Sequence, residues 1–177
     1  MMIAIVAGFA ITEILRAWGV LIRERVPFRS AALYCYASLF LLAIIVRYTW
    51  LLWDLRAMEW QFLAFVLAFA PVLVLALAAF TISIPRGSTP NIAKHYFLQA
   101  RPFYILVAVF LVVWSLGDVL ALDYQLQDAG PPNVGRTIFA AVVLILAFTR
   151  KEALHWLLLT GFFAAIIWVS RVAVPQL

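Results

Sequence analysis

Apolar residues in this chain neither alternate with polar ones nor form a single stripe; they run on in blocks, and short clusters of charge, proline and glycine divide the blocks. A helix needs roughly 17–25 predominantly apolar residues to cross the hydrocarbon core of a bilayer. On that criterion the pattern predicts six spans, at about 2–22, 31–54, 59–84, 102–122, 134–149 and 152–173. The dividers are RERVPFRS, DLRAME, the long polar stretch PRGSTPNIAKHYFLQARP, DYQLQDAGPPNVGR, and TRKE, a minimal turn. The fifth span is the shortest. Pro71 falls in the middle of the third and predicts a kink there. The continuous runs lack the period-two alternation of a membrane β-barrel. The expected fold is an all-α integral membrane protein, one transmembrane domain over residues 1–177.

One polar stretch carries an element of its own. In TPNIAKHYFLQAR, Thr89 can cap a helix and Pro90 suits a first turn. Ile92, Tyr96 and Phe97, with Lys94 and Arg101, then predict a short amphipathic helix over about 90–101, lying at the interface before span four.

Composition narrows the class. The chain is 67% hydrophobic and only 12% charged, with a mean hydropathy of +1.07, whereas soluble domains run about 45–50% apolar and about 25% charged. The isoelectric point near 9.8 does not indicate nucleic acid, because the basic residues sit in clusters between apolar runs, as membrane topology requires. Arg23, Arg25, Arg29, Arg86, Lys94, Arg101, Arg150 and Lys151 fall on one side of the six-span arrangement. Arg56, Arg136 and Arg171 fall on the other, among Asp54, Glu59, Asp123 and Asp128. The basic side is expected to be cytoplasmic, which places both termini outside. MMIAIV has no basic segment, so no cleaved signal peptide is expected.

Charges inside the spans are the candidates for chemistry, since each costs about 2.5–3.5 kcal/mol at the bilayer centre on insertion scales. In GFAITEILRAWG, Glu13 and Arg16 lie one helical turn apart, and Arg23 shares the Arg16 face. Tyr34, Tyr36 and Ser38, Thr81 and Ser83, Tyr104, and His155 with Thr160 lie at similar or shallower depth in other spans. With these faces inward they form a polar pocket open to the cytoplasm: an ion, proton or substrate pathway through Glu13, Arg16, Tyr34, Tyr36 and His155. The other reading is that Glu13 and Arg16 satisfy each other and fix helix packing. Arg47 and Asp118 each lie sixteen residues from the cytoplasmic ends of their spans. Equal depth and opposite sign predict an interhelical salt bridge or gate, with Arg171 able to join and Asp54 and Ser115 nearby. An apolar layer between the two groups is what an alternating-access carrier or gated channel needs.

Other chemistries find little support. The single cysteine, Cys35, cannot form an internal disulfide. His95 and His155 lack metal-ligand spacing, and no phosphate loop, nucleophile elbow or zinc motif is present; no cofactor and no catalytic residue is expected. The tryptophans read as interfacial anchors. WLLWDLRAMEWQFL and LILAFTRKEALHWLL share a tight turn with R, E and W, a match too short to establish an inverted repeat. The layout of ITEILRAWGVLIRERVPF, RYTWLLWDLRAMEW and FTRKEALHW resembles small multi-pass proteins common in bacterial genomes. That resemblance implies a bacterial inner-membrane setting and carries no activity with it. The functional expectation is therefore a membrane channel or transporter for an ion, proton or small solute, a homo-oligomer in the lipid bilayer. The alternative is a non-transporting accessory or assembly subunit of a larger membrane complex, seated against other membrane subunits.

Overall fold

The breaks in the apolar pattern become the connections of a helical bundle. The structure, a computed structural model, describes residues 2–54, 62–85, 91–121 and 130–172. Every regular element among them is an α-helix: α1 (Met2–Arg23), α2 (Phe28–Asp54), α3 (Phe62–Ile82), α4 (Ile92–Ala121), α5 (Gly130–Phe148) and α6 (Glu152–Val172). α1 to α4 are long and apolar enough to cross a membrane; the described apolar stretches of α5 and α6, Val134–Phe148 and Glu152–Ala165, are shorter.

The amphipathic interfacial helix expected before span four does not exist as a separate element. Residues 92–101 are the first third of α4, which runs unbroken through Pro102. Ile92 and Tyr96, expected to face lipid headgroups, are buried in the bundle core with Ala100, Phe103 and Tyr104. The apolar face of this segment has neighbouring helices to pack against, and that outweighs the charge of Lys94 and Arg101. The helix is capped by Asn91: its Oδ1 accepts the Lys94 N–H at 3.1 Å, satisfying a donor of the first turn. Thr89 and Pro90 lie outside the described residues. At its thirty residues and about 1.5 Å per residue, α4 extends for about 45 Å, the depth of a bilayer with its headgroups.

Local chemistry sets the other ends. α2 starts directly after Pro27, whose carbonyl accepts both Ser30 N–H and Ser30 Oγ. α5 starts at Gly130, earlier than the expected 134; Pro131 and Pro132 fit a first turn, where no intrahelical N–H is required. α1 ends in a Schellman motif: Val26 N–H donates to Leu21 O and Arg25 N–H to Ile22 O, both at 3.1 Å. Arg25 takes the left-handed conformation at the position glycine normally fills, with φ 49°. For a residue with a Cβ that conformation costs roughly 1–2 kcal/mol.

α2 is the hub, touching α1, α3, α4 and α6, while α4 packs along α3 and α5. α1 buries one face, Ala7, Ala10, Ile14, Ala17 and Leu21, whose small residues let its backbone come close to α2 and α3. α3 runs through Pro71 as one helix. Proline has no N–H to serve the carbonyl four residues back, Leu67 O. α4 comes close at that point: a Cβ on Gly117 would lie 3.4 Å from Leu67 O. One residue on, the Tyr48 hydroxyl donates to Ala68 O at 3.0 Å. The proline turn is thus covered by a tyrosine of α2 and a glycine of α4.

A candidate functional site at one end of the bundle

The C-terminal ends of α1, α3 and α5 and the N-terminal ends of α2, α4 and α6 meet at one end of the bundle, and most of the polar side chains singled out in the sequence gather there. α3 must stop short of Pro85, which leaves its last carbonyls without helical donors. Arg16 supplies one: its Nη2 donates to Ile84 O at 2.8 Å. The same guanidinium holds both carboxylate oxygens of Glu13, Nε to Oε2 at 3.0 Å and Nη2 to Oε1 at 2.6 Å. Ser83 completes the clamp, its hydroxyl donating to Glu13 Oε1 at 2.5 Å while lying 2.5 Å from Arg16 Nη2. A cation is also the favourable partner for the negative end of the α3 dipole. His95 Nε2 lies 3.4 Å from Ile82 O, a second donor at the same helix end. Tyr34 is buried beside the clamp, its ring 6.4 Å from that of His95.

A second network starts from α4 and α6. Tyr96, Tyr104 and His155 are buried and joined in series: Tyr104 Oη to Tyr96 Oη at 2.7 Å, and Tyr96 Oη to His155 Nδ1 at 2.6 Å. His155 Nε2 lies 2.9 Å from Thr149 O. A carbonyl only accepts, so Nε2 carries a proton, and in the neutral imidazole Nδ1 accepts from the Tyr96 hydroxyl. Tyr96 in turn accepts from Tyr104. A proton placed on Nδ1 turns the Tyr96 hydroxyl toward Tyr104, so the direction of the whole chain follows the charge on one imidazole. Tyr36 belongs to neither network. It stacks between Trp156 and Phe163, at 5.2 and 5.0 Å, and its hydroxyl lies 3.3 Å from Thr160 Oγ1.

The five pathway residues therefore divide into three neighbourhoods: Glu13 and Arg16 with Tyr34 alongside, His155 with two tyrosines, and Tyr36 in an aromatic stack. The contributions of Ser83, the Ile84 carbonyl and Tyr96 complete the networks. By its sequence the Tyr96 segment reads as an amphipathic interfacial helix; the place of Tyr96 beside His155 depends on α4 being continuous.

Toward the opposite end the expected Arg47–Asp118 bridge is not formed. Asp118 pairs with Arg136 of α5, whose guanidinium also stacks 3.9 Å from the Trp114 ring centre. Equal depth was insufficient because the faces differ. Tyr48, not Arg47, turns toward α4, with its ring edge-on to Phe110 and Trp114 at 5.5 and 5.1 Å. Arg47 is exposed and, seven residues before the end of α2, within about two turns of a headgroup region that its long side chain can reach. The sequence did contain a signal: Asp118 lies three residues before the end of α4 and Arg136 six residues after the start of α5, so antiparallel packing of these consecutive helices brings opposite charges near each other. The side chains of Arg171 and Asp54 lie outside the described residues. No family model, curated protein or solved structure matches this chain.

Among the described residues no group of three or more His, Cys, Asp or Glu could hold a metal ion, and every buried side-chain nitrogen or oxygen has a hydrogen-bond partner. Both ring nitrogens of His155 are engaged within the protein.

Proposed function

We propose that this chain is a six-span protein of a bacterial inner membrane that moves a proton, ion or small solute by opening the polar clusters at its two ends in turn. What supports this is the arrangement of those clusters. Glu13–Arg16–Ser83 ties α1 to the end of α3 and Tyr96–Tyr104–His155 ties α4 to α6 at one end, and Asp118–Arg136 with Trp114 and Tyr48 ties α2, α4 and α5 nearer the other. Between them lies a layer of fully buried Phe40, Leu41, Ile45, Leu75, Val107 and Phe110. A carrier that opens one end at a time needs two separable sets of interhelical contacts around an apolar barrier. In this reading the basic connections face the cytoplasm and both termini lie outside. α5 and α6, 19 and 21 residues long, cover about 28 and 31 Å, enough for the hydrocarbon core. The test is flux into liposomes under imposed proton, potassium, sodium and chloride gradients. Wild-type flux that disappears in a folded Glu13→Gln variant upholds the reading; no flux under any gradient, with the variant only less stable, overturns it.

One observation favours a second reading, a non-transporting subunit of a larger membrane complex. Glu13 and Arg16 already have their partners, as a structural helix cap requires, and α1 leaves Ile5, Phe9, Leu15 and Ile22 uncovered by its own chain. The remaining face fits another subunit or a second copy of this chain. Purification separates the two: an accessory subunit brings defined partner chains with it and unfolds without them, whereas a carrier is stable alone or as a homo-oligomer.

A further inference from the structure

At the end of the bundle where the basic connections gather, a groove of about 780 Å³ opens between α1 and α2, with Trp156 of α6 as its third side. Its lining includes Leu21, Ala31, Cys35 and Leu39, with Trp18 and Trp156. Ala31 and Ala32 leave room where larger side chains would fill the space between the helices. The lining is mostly apolar, and its one charged residue is Arg25.

Arg25 is the residue held in the left-handed conformation at the end of α1. Glycine would close that motif without strain, so the motif alone gives no reason for a large cation there. Strain of this kind persists where a side chain is needed in a fixed place. Arg23 and Arg29 flank it, both exposed. Glu24 answers only Arg23, at 3.8 Å; among the described residues neither Arg25 nor Arg29 has a carboxylate partner. The N-terminus of α2, with the positive end of its dipole, adjoins the same loop. An apolar slot with Arg25 in its lining, and with exposed Arg29 in the first turn of the adjoining α2, matches a molecule with a long hydrocarbon chain and an anionic head.

We infer that this groove is a binding site for one anionic phospholipid, with an acyl chain between Trp18 and Trp156 and the phosphate at Arg25 and Arg29. The inference rests on residence in a membrane and not on the transport reading. Bound lipid joins α1, α2 and α6.

Cys35 lines the groove and is the only cysteine of the protein, so its alkylation rate reads occupancy directly. The full chain is purified in detergent and mixed with dioleoyl-phosphatidylglycerol or, as a control with the same tails, dioleoyl-phosphatidylcholine. Phosphatidylglycerol is expected to slow maleimide modification about tenfold once its concentration exceeds the dissociation constant about tenfold, with phosphatidylcholine far less effective. Removing one arginine is expected to weaken the anionic lipid about fivefold. Arg25→Gly provides the decisive contrast. It relieves the backbone, so the unfolding temperature without lipid holds or rises while the preference for phosphatidylglycerol falls. Arg29→Gln, outside the strained position, is expected to lower the preference without moving the unfolding temperature. Equal protection by both lipids overturns the inference, as does an unchanged preference in both variants. Protection that follows protein concentration rather than lipid also overturns it, and assigns the groove to a second copy of the chain.

Discussion

Glu13 is held by an arginine one turn along its own helix and by a serine seventy residues away, and Arg16 carries the linkage on to the end of α3. Removing either charge leaves the other with unmet hydrogen bonds in a half-buried place. Glu13→Gln is expected to cost about 1.5–3 kcal/mol, the range for hydrogen bonds to charged groups, seen as a lower unfolding temperature in detergent. Arg16→Met costs at least as much, because it also uncovers Ile84 O. The double variant is expected to lose less than the sum of the two single losses, a coupling of about 0.5–3 kcal/mol; strictly additive losses would show that the pair does not act as a unit. At the second network, Tyr96→Phe removes the middle of the chain and leaves buried His155 Nδ1 without a donor. About 1–3 kcal/mol of destabilisation is expected. The freed Nδ1 is expected to shift the His155 imidazole nitrogen resonances, whereas Tyr36→Phe leaves those resonances in place.

At the scale of the helix, the informative positions are those where two elements come closer than ordinary side chains allow. Gly117 faces the carbonyl that Pro71 deprives of a donor, with 3.4 Å available for a Cβ. Alanine fits that distance as an ordinary contact, so Gly117→Ala is expected to be near neutral. Gly117→Val must push α3 and α4 apart, at about 1–3 kcal/mol for an overpacked site. The same change at Gly8, which has no atom within 4 Å of its Cβ position, meets no obstacle. Equal unfolding temperatures for Gly117→Val and Gly8→Val would show that α3 and α4 do not meet there. The continuity of α4 belongs to this scale as well. Pro102 lacks the N–H that would serve Leu98 O, but Leu98 is on an exposed side of the helix, where solvent or headgroups can satisfy the carbonyl.

At the scale of the whole molecule, the proposed topology makes its own prediction. On a Cys35→Ala background, Arg150→Cys is expected to react with a membrane-impermeant maleimide only from the cytoplasmic side and Gln125→Cys only from outside. Reaction of both from one side removes the six-span arrangement. The polar groups of the two ends share helices α2 and α4, so a change at one end can reach the other through those helices and the aromatic layer between them. This is the physical basis on which flux, if present, would respond to Asp118→Asn as well as to Glu13→Gln.

How much of this was legible in advance follows from the reach of each interaction. Apolar runs, their breaks at proline and charge, the helical class and the membrane-spanning character of α1 to α4 are local properties, set by residues within a few turns of each other. So was the Glu13–Arg16 contact, which spans one turn of a single helix. The partners that give those residues their meaning are not local. Ser83 and Ile84 reach Glu13 and Arg16 only because α3 packs beside α1. Asp118 takes Arg136 over Arg47 because helix rotation, which depth along the chain does not encode, turns Tyr48 rather than Arg47 toward α4. The segment at 92–101 reads as an interfacial helix by its own composition and becomes core once neighbouring helices cover Ile92 and Tyr96. The sequence by itself determined which stretches must be helical and apolar, since hydrophobicity and backbone hydrogen bonding act along the chain. Which faces meet, and hence which polar groups form a site, only the packing of the helices decided.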